Sequence, residues 1–480
     1  MSPARPEVTV VGLQPDPEHH RLRDFLTRGA QPYRWLDAGT PEADALLAER
    51  GGGGAALPVL LDGEVLIAGA TVERVALQWG VGAPPSRAEY DLAIVGGGPA
   101  GLAAAVYAAS DGLSTVVIEE QMPGGQASHT SLIENFFGFP DGIGGAELCR
   151  LAGRQAEGFG AELVMLRGVT GGGPRGPDGQ FAFQLRGGHV VRSRIALVAP
   201  GMVWRRLDVA GVEELLGRGV YYGAGRSEAT QCGGREVVVV GAGNSAGQAV
   251  MHLADTGARV SMLVRGDRLG KSMSAYLVSR IDAHPLIEVR LNTQVEALEA
   301  DAGVLAQVRV RDAGGRTERL PAKALFLCLG GLPRTGWAAQ GGVRLGRSDF
   351  ILTGPDLLDA GQRPADWPLA RDPLALETSV PGCSRPATSA TARSSASAAR
   401  WVRERWRSGS RTAGSRSCSR PPEGQRTTGA GRCTTPRPST STVSPGAQAA
   451  MSCASSRSRR RRIASAGSPR SAGIANSSPR

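Results

Sequence analysis

Four things are scarce in this 480-residue chain, and each narrows the field. No run of about 18 apolar residues occurs, and a helix crossing a bilayer needs one. Met1–Val8 has no apolar core of the kind a secretory leader carries, so a soluble, cytoplasmic protein without membrane contacts is expected. The seven cysteines are odd in number and scattered, which fits a reducing compartment better than a disulfide framework. The last scarcity is local: from Cys383 to Arg480 there is no Leu, Phe, Tyr, Lys or Asp. That segment holds 19 Arg against Glu404 and Glu423, a balance of +17, so within the overall +11 residues 1–382 carry −6. The basic excess belongs to one abnormal stretch, and no nucleic-acid partner is expected for the rest.

What is present begins with Asp91–Glu120, the stretch around which the chain is organised. An apolar run, Leu92–Val95, reads as a buried parallel strand. Gly96, Gly98 and Gly101 follow at G-x-G-x-x-G spacing, with Pro99 and Ala100 opening an Ala-rich helix, and Thr115–Ile118 makes a second strand. In this motif the glycines serve a tight turn, close approach to a pyrophosphate and close helix–sheet packing. The helix N-terminus offers free N–H groups to the phosphate. Glu119 ends the second strand, where a carboxylate can accept from ribose hydroxyls. Strand, glycines, helix, strand and acid in that order are a far stronger signal than the glycines alone.

A second unit of the same kind starts at Glu236. Val237–Val240 reads as a strand, Gly241-Ala242-Gly243-Asn244-Ser245-Ala246 as a G-x-G-x-x-A loop, Gly247–Asp255 as a helix and Val260–Val264 as the next strand. Where an NAD site carries an acid, this unit carries Arg265, with Arg268 and Lys271 close behind. A cation there suits the 2′-phosphate of NADPH. The alternative is a solvated basic turn.

Between the two loops lie Gly124-Gly125-Gln126 and Ile133-Glu134-Asn135-Phe136-Phe137-Gly138-Phe139-Pro140. G-G-Q followed by I-E-N-x-x-G-F-P resembles the flavin side of the bacterial thioredoxin reductase family, within the pyridine nucleotide-disulfide oxidoreductases. The resemblance implies that Gly125 and Gln126 line FAD and that Asn135 sits near its isoalloxazine ring. It implies hydride transfer from NADPH to FAD and, commonly, a homodimer. Ile195–Gly201 matches the family's strand ending in A-T-G, except that Pro200 stands for Thr and brings no N–H. Residues 7–80 resemble a glutaredoxin- or thioredoxin-like domain, with Pro58 at the family's cis-proline position. Its C-x-x-C should fall in Gln14-Pro15-Asp16-Pro17-Glu18-His19, where there is no cysteine, so a structural or docking role is expected.

The expected fold is α/β: two Rossmann-like dinucleotide-binding domains, the NADPH domain inserted in the FAD domain, after a small thioredoxin-like domain. The expected division is 1–80 thioredoxin-like, 81–89 linker, 90–207 FAD domain, 208–330 NADPH domain, 331–382 return to the FAD domain and 383–480 a disordered tail.

Two absences then bear on function. In thioredoxin reductases the redox C-x-x-C follows a G-V-x-Y segment; here Gly219-Val220-Tyr221-Tyr222 is followed by Gly223-Ala224-Gly225-Arg226. Cys232 is nearby but single. Electrons could therefore reach FAD from NADPH and leave to an unidentified small-molecule or protein acceptor, such as a quinone, a ferredoxin-type carrier or oxygen. No side chain is singled out as a catalytic acid, base or nucleophile, and no metal site is expected. A regulatory or inactive nucleotide-binding remnant is the competing reading. The other absence is the family's closing V-F-A-A-G-D-V after V-P-G. Continued as V-F-A-A-G-D-V-R-H-G-S, encoded in GC-rich codons and read one base off, it yields Cys383–Ala392, and the same shift turns Arg400–Trp406 into A-V-G-E-G-A-M, like the family's helix against the flavin. The tail is thus expected to be out of frame, with the end of the FAD domain missing and flavin affinity reduced.

Overall fold

Short apolar runs flanked by turn residues build the N-terminal sheet. In the computed structural model, which describes residues 5–385 apart from 174, 175, 177, 224, 225 and 230, Val8–Gly12 forms β1 and Pro17–Arg28 forms α1. Asp16 caps α1 by accepting from the N–H groups of Glu18 and His19 at 2.9 and 3.1 Å. There follow β2 (Tyr33–Asp37), α2 (Pro41–Glu49), β3 (Val59–Asp62), β4 (Val65–Ile67) and α3 (Val72–Trp79). The sheet order is β2-β1-β3-β4, with β2 parallel and β3 antiparallel to β1. The Leu57–Pro58 bond is cis, as the resemblance implies. Val8, Val10, Leu22, Leu26 and Leu60 are fully buried between sheet and helices.

The next sheet is the first Rossmann-type unit. Its elements are β5 (Glu89–Val95), α4 (Pro99–Ser110), β6 (Thr115–Ile118), α5 (Gly145–Gly158), β7 (Glu162–Val164), β8 (Val169–Gly173), β9 (Phe181–Leu185) and β10 (Val190–Val198). The order is β7-β6-β5-β10-β9-β8; the first four strands run parallel, and β9 and β8 fold back antiparallel as a meander. Near-continuous apolar runs such as Leu92–Val95 and Val116–Ile118 reflect burial on both faces.

The chain leaves this unit through β11 (Met202–Trp204). It then makes β12 (Val220–Tyr222), α6 (Arg226–Ala229), β13 (Glu236–Val240), α7 (Asn244–Asp255), β14 (Arg259–Val264), α8 (Ala275–Ala283) and β15 (Ile287–Leu291). The antiparallel strands β16 (Thr293–Asp301), β17 (Val304–Asp312) and β18 (Thr317–Pro321) precede β19 (Ala324–Leu327). The second sheet, β12-β19-β13-β14-β15, is parallel throughout. The way back is β20 (Gly331–Pro333), which pairs antiparallel with β11. Outgoing and returning chain thus lie side by side, as the nested arrangement requires. α9 (Gly336–Gln340) then packs against β8.

One boundary moves. The sheet does not stop at Gly382: Cys383 and Ser384 form β21, parallel to β10 opposite Ala196 and Leu197. The change in composition at Cys383 does not prevent this, because parallel pairing uses backbone N–H and C=O groups that every residue but proline supplies. The tail and its frame, from residue 386 on, lie outside the described residues. Among the described residues no helix is long and apolar enough to cross a membrane.

Candidate cofactor cleft

Each glycine of the first loop has a distinct surrounding. Gly96 has a φ of +107°, and a Cβ there would lie 2.0 Å from the carbonyl oxygen of Ala199. A Cβ on Gly101 would lie 2.0 Å from the carbonyl oxygen of Gly96, so the turn sits directly on the helix. Gly98 is different: its Cβ would meet nothing within 4 Å. The backbone there faces open space, at the N-cap of a helix whose cap residue has no side chain. The first-turn N–H groups of Ala100 and Gly101 have no intrahelical partner, and Pro99 has no N–H. An anion is the natural occupant of such a cradle, and a pyrophosphate fits it.

Glu119 is at the cleft but differently employed from the expectation. Its Oε2 accepts from the Gly97 N–H at 2.7 Å and its Oε1 from the Gln121 N–H at 2.9 Å. The carboxylate first holds the glycine loop in shape; only a second lone pair on each oxygen is left for a ribose. Across the loop, the Gly124 N–H donates to the Gly97 carbonyl at 2.8 Å, and Gly124 and Gly125 turn at φ of +124° and +53°. The Gln126 amide donates to the Met202 carbonyl at 3.0 Å, which ties this turn to β11.

These residues line one cleft of about 1710 Å³, which includes Gly96, Gly98, Pro99, Ala100, Gly101, Glu119, Gly125, Gln126 and Pro200. Asn135 does not line it; the side chain is exposed. Its neighbours account for this. Ile133 is bridged to Ile143, and Glu134 is drawn to Arg280 of α8 at 2.7 Å, which leaves Asn135 on the solvent side of an irregular segment.

The second loop repeats the first with one substitution. Gly241 has a φ of +150°, with its Cβ position 2.5 Å from the Cys328 carbonyl oxygen, and Gly243 opens on empty space at the N-cap of α7. Ala246, fully buried, stands where the first loop has its third glycine. The Asn244 side chain is locked to Ser274, donating to its hydroxyl at 2.9 Å and accepting from its N–H at 2.7 Å. Of this loop's predicted residues Ser245 reaches the large cleft, and the others lie beyond it. Arg265 directly follows β14, exposed and without an ion pair among the described residues, as is Arg268 nearby. Lys271 is instead paired with the exposed Asp267 at 2.7 Å.

A third wall was not foreseen. α1 of the N-terminal domain contributes His20, Asp24 and Arg28, one helical step of four apart, and they meet His129, Tyr221 and Glu228. Asp24 lies 3.5 Å from His129, and His20 lies 3.5 Å from Glu228. Burial pushes the His129 imidazole down to about 4, and it raises the Asp24 carboxyl above its ordinary value despite Arg28 beside it. The i, i+4, i+8 spacing was the available signal, but a polar stripe on an amphipathic helix reads as a solvated face. Cys149, Cys232, Cys328 and Cys383 are buried and unpaired, and burial pushes each thiol up to about 12.

Residues 90–358 match the family model of the pyridine nucleotide-disulphide oxidoreductases. The chain belongs to that family. The NADPH-dependent thioredoxin reductase 3 of Arabidopsis thaliana is 35% identical over 276 residues, 55% of this chain and 50% of that protein, so the chain spans about half its length. The thioredoxin reductase of Bacillus subtilis (strain 168) is 31% identical over 247 residues, 51% of this chain and 75% of the relative. Among solved structures, the thioredoxin reductase of T. acidophilum superposes with a TM-score of 0.58 at 23% identity, covering 67% of this chain and 99% of the other. That likeness establishes the two-Rossmann fold. The family's members are oxidoreductases, and FAD and NADPH are its cofactors in the thioredoxin-reductase-like branch.

Proposed function

We propose that this chain is a thioredoxin-reductase-like flavoprotein that oxidises NADPH and passes the electrons on without a dithiol relay. The observation that carries the reading is the pair of glycine loops: both leave a helix N-terminus open at Gly98 and Gly243, while the four described thiols are buried. When bound, FAD supplies a two-electron carrier able to take hydride from reduced nicotinamide. In this reading the N–H groups of Ala100 and Gly101 hold its pyrophosphate, Glu119 keeps the loop closed, and Gly125 and Gln126 border the ring system. The open end of α7, with Ser245 and Ala246 in its first turn, takes the NADPH pyrophosphate, and Arg265 the 2′-phosphate. Asn135 is left out. A thiol held near 12 is protonated at neutral pH, and the thiolate is the nucleophile in disulfide exchange, so no described cysteine suits a relay. The same reading divides the chain into thioredoxin-like, FAD and NADPH domains and takes it to be a cytoplasmic homodimer.

Anaerobic titration of the purified chain tests this. A yellow protein that bleaches with NADPH, is reoxidised by a quinone dye and does not reduce insulin disulfides through added thioredoxin is the expected result. A colourless protein that still does not bind FAD when its tail is read in the restored frame would leave the regulatory remnant instead.

A further inference from the structure

We propose that the thioredoxin-like domain is a fixed wall of the cofactor cleft, seated on the face a thioredoxin-sized acceptor would need, so that the acceptor is a small molecule. The inference rests on the flavoprotein reading above and names the acceptor class that reading leaves open.

Two vacated dithiol positions carry the argument. In the N-terminal domain the segment where a C-x-x-C would stand begins at Gln14-Pro15. Reducing a thioredoxin would require thiols in the reductase just after Gly223, because disulfide exchange proceeds by direct sulfur-to-sulfur attack. In this structure Gln14 and Pro15 approach β12, the strand that leads to Gly223. Gln14 and Pro15 share the walls of a small cavity of about 90 Å³ with Gly219, Tyr221, Cys232 and Lys323. The fused domain therefore packs its own degenerate loop against the segments on either side of the vacated dithiol position, from Gly219 to Tyr221 and at Cys232.

The loop is built to stay there. The buried Arg23 donates to the Gln14 carbonyl at 3.0 Å and lies 4.5 Å over the Trp35 ring. The Leu13 N–H donates to His19 at 2.8 Å, and Asp16 is spent capping α1. α1 then spans both Rossmann units. Toward the second, the His20 ring packs on Tyr221 at 5.2 Å and faces Glu228, and Gly217 is so close that its Cβ would lie 3.2 Å from Pro17 Cα. Toward the first, Arg28 donates to Gln121, and Asp24 faces His129. Met122 and Leu166 pack into the apolar core of the thioredoxin-like domain itself. A Cβ at 217 would sit in tight but tolerable contact with this helix, 3.2 Å from His20 Cβ and Pro17 Cα, and the left-handed φ of +74° favours glycine there.

Space supports a small acceptor. Pockets for one drug-sized ligand run to roughly 300–1,000 Å³. The cleft, at about 1710 Å³, holds more than one, and its α1 end is bordered by His20, Asp24, His129, Trp204 and Tyr221. A flat aromatic acceptor such as a quinone suits walls of that composition.

The test is a staple. The ideal Cβ of Gly217 lies 3.2 Å from His20 Cβ, close to the ~3.5–4.5 Å that a disulfide spans. The double variant His20→Cys, Gly217→Cys, oxidised with copper phenanthroline, is expected to lose two free thiols and to shift in a non-reducing gel. Its NADPH-dependent reduction of menadione should stay within about threefold of the same variant with the bridge reduced. Failure of the bridge to form would overturn the docking. So would a bridge that lowers menadione turnover tenfold or more and releases it on reduction, since the domain would then have to move away. If the unaltered chain does not turn over, the flavoprotein reading falls, while the yield of bridge still decides the docking. Because Gly217 is left-handed, hydrogen exchange on the unaltered chain and on His20→Asp supplies an independent readout. Residues 17–28 and 217–223 should be protected together and lose protection together when a like charge faces Glu228; independent exchange of the two segments refutes the proposal.

Discussion

Removing the carboxylate of Glu377 should unfasten the last described segment from the first Rossmann sheet. Glu377 is fully buried and accepts four hydrogen bonds: from Arg371 at 2.6 and 2.9 Å, and from the N–H groups of Leu374 and Gly382 at 3.1 Å each. Those contacts fold residues 371–385 back on themselves, so that Gly382 accepts from the Ala196 N–H and Cys383 and Ser384 join β10. Breaking a buried ion pair costs about 3–5 kcal/mol when the surviving charge stays buried. Arg371 is about one-third exposed and can rehydrate, which lowers that figure. Two N–H groups lose their acceptor, at about 1 kcal/mol or more each. Glu377→Ala is therefore expected to cost about 3 kcal/mol locally. A multidomain chain does not unfold in two states, so the measurement is native-state hydrogen exchange over residues 374–385, with an acceleration of roughly 100-fold. The pH dependence has a definite sign. Burial raises this carboxyl, but Arg371 and the two N–H groups outweigh burial and hold it below its ordinary value of 4.5. The stabilisation is complete above the unfolded-state value and is lost as pH falls through the lower folded value. The protection factors of the unaltered chain, taken against the intrinsic rate at each pH, should thus fall on acidification, and those of the alanine variant should be nearly flat over the same range. An acceleration under fivefold at neutral pH would refute the reasoning.

Three further outcomes follow from the cleft. Gly98→Ala should leave thermal stability unchanged, because its Cβ meets nothing, yet lower the flavin content of the purified protein; Gly101→Ala, with a Cβ 2.0 Å from a carbonyl oxygen, should destabilise the unit by about 2 kcal/mol or more, read by thermal melting. Arg265→Ala should raise KM for NADPH at least tenfold with little change for NADH, since a charged hydrogen bond is worth about 1.5–3 kcal/mol, and equal effects on both would remove Arg265 from the phosphate. Alkylation with iodoacetamide at neutral pH, mapped by mass spectrometry, should spare Cys149, Cys232, Cys328 and Cys383 until the protein is unfolded, because burial keeps their thiols protonated.

How much of this was legible in the sequence depends on whether a feature is local. The glycine loops were, because a turn that sits on its own helix dictates residue type at Gly96, Gly101 and Gly241 through contacts within one βαβ unit. The cis Leu57–Pro58 bond was legible only through the family resemblance, and the order of the N-terminal elements was legible except for β4. What escaped depends on distant partners. Glu119 lines the cleft, but its commitment to Gly97 and Gln121 requires knowing how far the loop folds over the strand end. Asn135 stands exposed outside the cleft lining, next to Glu134, whose partner Arg280 lies 146 residues beyond Glu134. The stripe His20, Asp24, Arg28 carries no local mark separating it from a solvated face; only the presence of His129 and Glu228 opposite makes it a wall. Composition misled at Cys383 in the opposite direction. It marks a real change in the chain, but backbone pairing is indifferent to side-chain type, so β21 forms beside β10 all the same. A sequence break and a structural break need not coincide where backbone pairing carries the strand, here with Glu377 fastening Gly382 and Cys383 buried in the apolar core.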